Sequence, residues 1–358
     1  MYKRQIWFGH CTKQEIIMLS KFKILLLNVN RDGWHSGNMI YDMEVIKKAC
    51  DTKIYGPGWP EYKNVDIREI IKQLYGDDKP DIIYSYFYNN ERVGDTYMQH
   101  YQIPETSRFF PTHLEKIRDI TKIFAISDFW QQKDQALIGQ SNFQYCFGCF
   151  VPPYSNPKDF YAFFSEENQK KMKFIPCPRC IDRDCYKDYG LFKKYDVISV
   201  GAMWHFYPLR VFMHNYLTQY AEKLGIRYRN YPHCGINFSH NDFVREKYAM
   251  TINGSKMLIS CGGRYHVAMN KIFEAMGCNT AYVGEKPYGE EELHLRDGYN
   301  YIAVAGEDFI GKIQHYLKSE DALSYITKNA KDTFEKYHHI DARANDFEKL
   351  IKGILNEA

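Results

Sequence analysis

One pattern constrains this chain more than any other. A short apolar, β-rich run followed by a glycine-containing segment and an amphipathic helix occurs from Lys23–Val29 and again from Asp196–Gly201. Short apolar runs alternating with helical segments are the mark of parallel strands, because parallel neighbours need a crossover and the crossover is usually a helix. In the first half the strands expected are 23–29, 52–55, 81–87, one ending near 109–110, and 122–127, with helices over 38–48, 65–74 and 114–120. The second half repeats this with strands over 196–201, 226–228, 256–260, 280–283 and 301–304. Its first helix carries Leu209, Phe212, Met213, Leu217, Tyr220 and Leu224 at helical spacing, and others are expected over 270–276, 290–295 and 309–317. Pro152, Pro153, Pro157, Pro176 and Pro178 mark a linker with an insertion between the halves. The fold class expected is α/β: two Rossmann-like, doubly wound parallel-sheet domains facing a central cleft, where strand C-termini and glycine turns bind nucleotides.

A length of 358 residues suits two domains. The boundaries expected are 18–189 and 190–335, with 336–358 a C-terminal helix packing back across the cleft. Residues 1–17 are expected to be non-native read-through, since Met1-Tyr2-Lys3-Arg4-Gln5 looks like a translated sequencing adaptor and Met18 directly precedes the first strand region. Lys and Arg total 47 against 44 Asp and Glu, a charge of +3 too small to demand a polyanionic partner, so no nucleic acid is expected. No run approaches the roughly 18 apolar residues of a membrane span. Lys13, Glu15, Lys21 and Lys23 interrupt any signal-peptide core, so a cytoplasmic location is expected. The 10 cysteines then read as reduced thiols or metal ligands. Cys146-Phe147-Gly148-Cys149 and Cys177-Pro178-Arg179-Cys180 have the spacing of a four-thiolate structural zinc site, and buried free cysteines at adjacent strand ends explain the same spacing.

The most informative stretch is 270–283, a short helix led in by Gly262-Gly263 and followed by a turn and a strand. The first-turn amides of such a helix favour a diphosphate. Lys271 and Glu274 share one helical face, so the lysine can neutralise phosphate while the carboxylate accepts from ribose hydroxyls; a plain surface ion pair fits the same spacing.

This stretch resembles the nucleotide-sugar signature of the group 1 glycosyltransferases, especially the branch similar to spore maturation proteins. Other segments resemble that family in order: Asn30 to Gly37 its first glycine loop, Pro80-Asp81-Ile82-Ile83 a strand start, and Phe110-Pro111-Thr112-His113 a strand end with a substrate-facing histidine. Phe124-Ala125-Ile126-Ser127, Phe174 to Asp182 and Leu295 to Tyr301 continue the series. The resemblance implies the GT-B arrangement, a nucleotide-diphosphate-sugar donor held by the C-terminal domain, a glycan, lipid-linked or protein acceptor held by the N-terminal one, and no required metal or cofactor. It implies that Glu274 holds the ribose, that Gly201, Arg210 and Lys271 serve the diphosphate, and that His113 approaches the transferred sugar or acceptor. His113 and His35 are the candidate catalytic bases, with Asp128 a third. An exposed helix arginine and a satisfied strand-end histidine are the plain readings of Arg210 and His113.

Two positions depart from the pattern. His266 stands where the family commonly has a glutamate contacting the donor sugar, and Asn279 where it has glycine. They leave open a non-catalytic nucleotide-sugar binder and, less directly, a nucleotide-sugar epimerase of the same fold. The transfer expected passes through an oxocarbenium-like transition state whose departing diphosphate is stabilised by Arg210, Lys271 and the helix N-terminus.

Overall fold

A computed structural model describes residues 22–30, 38–86, 91–92, 109–126, 141–232 and 245–357. The first domain contains β1 (Lys23–Leu27), α1 (Asn38–Ala49), β2 (Asp51–Tyr55), α2 (Ile67–Tyr75), β3 (Ile82–Ser85), β4 (Glu91–Arg92), β5 (Phe109–Phe110), β6 (Thr121–Ala125), β7 (Tyr145–Gly148), α3 (Pro157–Tyr161), α4 (Glu166–Lys171) and β8 (Lys173–Pro176). Six of these strands form one sheet in the order β2-β1-β3-β6-β7-β8, every pair parallel, while β4 and β5 pair antiparallel to each other.

The second domain contains β9 (Tyr195–Gly201), α5 (Pro208–Tyr220), β10 (Tyr228–Pro232), α6 (Arg245–Asn253), β11 (Ser255–Ile259), α7 (Asn270–Gly277), β12 (Ala281–Gly284), β13 (Ile302–Ala303), α8 (Phe309–Lys318), α9 (Glu320–Tyr337) and α10 (Ile340–Glu357). Its five-stranded sheet has the order β10-β9-β11-β12-β13, again parallel. Both sheets are doubly wound α/β layers, as the alternation of runs and helices requires.

Strand residues point alternately to opposite faces, and each face has its own cluster. Leu25, Leu27, Ile83, Phe124 and Cys146 fill one side of the first sheet. Val197, Met257, Ile259, Ala281 and Val283 fill one side of the second. The remaining sides share a single cluster, in which Ile24, Leu26, Ile82 and Phe147 join Ile198, Leu258 and Tyr282 through α1, α7, α9 and α10. Helix α10 packs along α1, and its Phe347 meets Tyr84 and Phe147 edge-on at 5.9 and 6.1 Å. Lys48 pairs with Asp341, and Lys173 with Glu357 at 2.7 Å.

Two expected helices are shorter than their sequence suggests. Over 114–120 only Leu114–Lys116 makes a 3-10 turn, because Ile117 is already extended and carries the chain towards β6 with Ile117 and Ile120 buried. Over 290–295 the chain makes a turn, with Leu293 N–H donating to Gly289 C=O at 2.9 Å and Leu295 N–H to Glu290 C=O at 2.8 Å; His294 at φ +54 ends it. The proline-rich linker region supplies β8, the sixth strand of the first sheet.

At the N-terminal edge of the second sheet, Asp196 binds three strands together. It accepts from Arg227 N–H and Nε at 3.0 Å and Nη2 at 2.8 Å, and pairs with Lys256 Nζ at 3.2 Å. Burial pushes its pKa up, but the Arg227 and Lys256 contacts outweigh burial and bring it from 3.8 down to about 2. The folded value lies below the unfolded one, so this contribution is full above about pH 4 and is lost as pH falls through about 2. Asp196→Asn is expected to destabilise the protein by about 1–3 kcal/mol near neutrality, since charged hydrogen bonds are lost. Thermal unfolding of both proteins checks this, with the difference narrowing below about pH 3.

Candidate functional site

Strand β9 ends on Gly201 at φ +102, a left-handed backbone that favours glycine. A Cβ at Gly201 would lie 3.3 Å from Arg210 Nη1 and 3.7 Å from Lys271 Cε. The turn therefore brings cations from α5 and α7 against one backbone position at the C-terminal edge of the sheet.

Arg210 stands in the first turn of α5, behind Pro208, and is only 3% exposed. Its Nη1 donates to Ala202 C=O at 3.0 Å, its Nη2 to Ser260 Oγ at 2.9 Å, and its plane lies 4.1 Å from the Tyr207 ring centre. Buried Nε has no hydrogen-bond partner among the described residues, and no carboxylate among them comes within ion-pair distance of the guanidinium. A charge held this deeply without an anion is costly. An anionic ligand at the Gly201 turn would remove that cost.

Lys271 Nζ donates to Glu274 Oε2 at 2.9 Å, and Tyr248 OH donates to the same oxygen at 2.9 Å. Glu274 is 4% exposed, and Lys271 also sits 4.9 Å from the Tyr248 ring centre. Burial, reinforced by the Glu274 carboxylate, pushes the Tyr248 phenol well above its ordinary range, so it stays a donor. The Lys271–Glu274 pair is thus a buried, shared arrangement rather than a solvated surface pair. The α7 N-cap, Met269, offers no side-chain acceptor to the first turn.

Sequence reasoning passed over Glu285, which directly follows β12. Gly262 N–H donates to its Oε1 at 2.6 Å, and His266 Nδ1 lies 3.6 Å from the same oxygen. Burial raises the Glu285 pKa, while His266, the Gly262 N–H and Arg210 oppose the rise. A carboxylate just beyond a glycine at a strand's C-terminal end was the signal that pointed to it. His266 has φ +50, and its side chain is 52% exposed.

The first-domain candidates lie elsewhere. His113 Nδ1 is 2.7 Å from Asp66 Oδ2, and Asp66 also caps α2 and binds Arg68 Nε and Nη2 at 3.0 and 2.9 Å. The Arg68 side chain foremost holds Asp66 well below the usual carboxylate range, so Asp66 accepts, Nδ1 carries the proton and Nε2 is left for another partner. The structure thus gives His113 an orienting carboxylate that sequence reasoning did not anticipate. Among the described residues none of its partners belongs to the Gly201 cluster. His35, Asp128 and the 31–37 part of the first glycine loop lie outside the described residues.

The four-thiolate zinc arrangement does not form. Cys146 points to the face holding Leu25 and Phe124, whereas Cys180 belongs to the cluster on the other side of the sheet. Two-residue alternation along β7 causes this, since Phe147 faces the Cys180 side. Cys146, Cys177 and Cys180 are free, and burial pushes the Cys177 thiol up to about 12. Among the described residues no three His, Cys, Asp or Glu side chains are grouped to hold a metal ion. Treatment with EDTA is expected to leave the melting temperature unchanged within about 1 °C; a chelator-dependent fall matched by stoichiometric zinc would restore the metal reading.

Residues 210–349 match the profile of a family described as glycosyl transferase-like. No curated protein matches the sequence. Similar solved structures include a sucrose-phosphate synthase from Thermosynechococcus elongatus, with TM-score 0.58, 10% identity, and coverage of 94% of this chain and 100% of that one. Anabaena HepE in complex with UDP and glucose has TM-score 0.55, 11% identity and coverage of 92% and 99%. A glycosyltransferase from Rickettsia africae has TM-score 0.55, 12% identity and coverage of 94% and 100%. These likenesses show that the fold is the two-domain GT-B fold.

Proposed function

We propose that this GT-B chain, whose residues 210–349 are glycosyl transferase-like, moves a sugar from a nucleotide-diphosphate donor to an acceptor. The observation that carries the reading is the buried Arg210 guanidinium at the Gly201 turn, which makes no ion pair among the described residues and has Lys271 beside it. A diphosphate is the ligand whose charge and reach suit two cations and an uncapped helix start. Glu274, one turn along α7, is the acceptor for the ribose hydroxyls, with Lys271 and Tyr248 holding its carboxylate in place.

In the reaction the acceptor hydroxyl oxygen bonds to the anomeric carbon while the bond from that carbon to the terminal phosphate oxygen breaks; the electron pair of the broken bond leaves with the diphosphate, and the hydroxyl proton passes to His113 Nε2. Arg210 and Lys271 stabilise that growing charge, fixed in place before the reaction begins. These two cations supply the neutralisation for which other enzymes recruit a divalent ion, so the reading is of a metal-independent transfer. His113, with Asp66 orienting it, is the first-domain residue offered to the acceptor side. The acceptor is a glycan, a lipid-linked glycan or a protein. No helix among the described residues is long and apolar enough to cross a membrane, and a cytoplasmic setting for glycan biosynthesis is part of the proposal.

The HepE complexes make uridine diphosphate the first base to test. In a thermal-shift panel of UDP, GDP, ADP and TDP and their sugar conjugates, one base is expected to raise the melting temperature selectively. Glu274→Ala is expected to weaken that binding by about 1.5–3 kcal/mol, the worth of a charged hydrogen bond. Arg210→Ala is expected to cut donor turnover by about a hundredfold or more, as removal of one preorganised charge-stabilising donor does. A folded protein that responds to no nucleotide overturns the reading. The Glu285–His266 pair gives a second reading some support, epimerisation of the donor sugar, which needs a carboxylate and an imidazole near the sugar. Recovery of an epimerised donor without any acceptor would favour it.

A further inference from the structure

The carboxylate of Glu285 is placed by structure rather than left to solvent. Its side chain is 13% exposed, and both of its contacts, the Gly262 N–H at 2.6 Å and His266 Nδ1 at 3.6 Å, fall on Oε1. The first distance is a short charge-assisted bond; the second is too long for a hydrogen bond and within reach of an ion pair. Among the described residues no hydrogen bond or ion pair reaches Oε2.

The backbone around it is arranged for this purpose at some conformational cost. Gly263 has φ +71, and a Cβ there would come within 2.9 Å of Phe206 C=O. His266 itself is left-handed. The loop is held from both sides: Arg264 N–H donates to Phe206 C=O at 2.8 Å, and Val267 is buried in a cluster with first-domain residues such as Phe150 and Val151. Tyr288 lies edge-on to His266, its N–H donates to His266 C=O at 2.8 Å, and its hydroxyl accepts from Asn156 Nδ2 at 3.0 Å. The pair therefore stands beside first-domain residues, with the imidazole half-exposed.

Its distance from the cations is also informative. Gly201 ends β9, Gly262 lies just past β11, and Glu285 follows β12, and these three strands are neighbours in the sheet. Neighbouring strands are about 4.8 Å apart, so two steps along the sheet edge span about 10 Å. That is the reach from a diphosphate to the hydroxyls of a sugar attached to it. A carboxylate accepts from hydroxyls and an imidazole N–H donates to one, so together they recognise a vicinal pair.

We infer that Glu285, seated by Gly262 and partnered by His266, reads the hydroxyls of the transferred sugar and sets which sugar the donor carries. This rests on the proposed nucleotide-sugar function. Glu285 takes this task from a strand end, where position 266 on the preceding loop holds an imidazole.

The test is calorimetric titration of wild type and Glu285→Gln with UDP and with UDP-glucose, or with GDP and GDP-mannose if the thermal-shift panel selects guanine. Gln keeps an acceptor for Gly262 and removes the charge. The variant is expected to bind the free diphosphate within twofold of wild type and the sugar conjugate at least tenfold more weakly. Equal weakening of both ligands, or of neither, in a variant with unchanged melting temperature overturns the inference and leaves the nucleotide-sugar reading standing. Failure of wild type to bind any nucleoside diphosphate overturns both. If Glu285→Gln unfolds early, His266→Ala, at a half-exposed position, is read in the same way, with a threefold or greater loss confined to the conjugate expected and an equal loss on both ligands counting against the role.

Discussion

A parallel sheet must be covered on both faces, and this chain has two of them with four faces to bury. Three clusters do so, because one face of each sheet draws on the same cluster. That sharing decides how the two halves are joined. The linker residues Cys180, Ile181 and Tyr186 are drawn into the common core, α9 packs on α7, and α10 returns to α1 and the first sheet. The two domains are thereby held with their seam beside the C-terminal ends of β9, β11 and β12, where the polar site stands.

The two ends of β9 treat charge in opposite ways. At the start of the strand, Asp196 is half-surrounded by Arg227 and Lys256, and its anion is fully used in holding three strands. At the far end, Arg210 has a carbonyl, a hydroxyl and a ring for neighbours but no carboxylate within ion-pair distance among the described residues. Native structures rarely leave a buried donor such as its Nε unsatisfied unless another demand outweighs stability. On the proposed reading that demand is the binding of a diphosphate. Lys271 is partly neutralised by Glu274, which keeps the proposed ribose acceptor and the proposed phosphate cation in one fixed geometry.

The loop from Gly262 to Met269 links these features. It carries His266, receives Glu285 through the Gly262 N–H, leads into α7, and buries Val267 against the first domain. Anything that shifts one domain against the other moves this loop. Lys271 and the proposed sugar reader are therefore joined through a single short segment.

The amino-acid sequence by itself determined the layers. Alternating apolar runs and amphipathic helices leave few arrangements other than two doubly wound parallel sheets, and residues 270–283 placed Lys271 and Glu274 on one helical face because helix spacing is local. The glycine at the end of β9 and the arginine in the next helix were singled out only through the family resemblance. Neither the Asp66 carboxylate behind His113 nor the Glu285–Gly262 contact was legible, because each joins residues far apart in the chain. The separation of Cys146 from Cys180 was equally hidden: spacing allowed one thiolate cluster or separately buried cysteines, and the pleat of β7 turns Cys146 to the side of the sheet away from Cys180. Local periodicity determines which elements form, whereas contacts between strand ends depend on the order in which those strands lie side by side, and only the packed sheets decide that order.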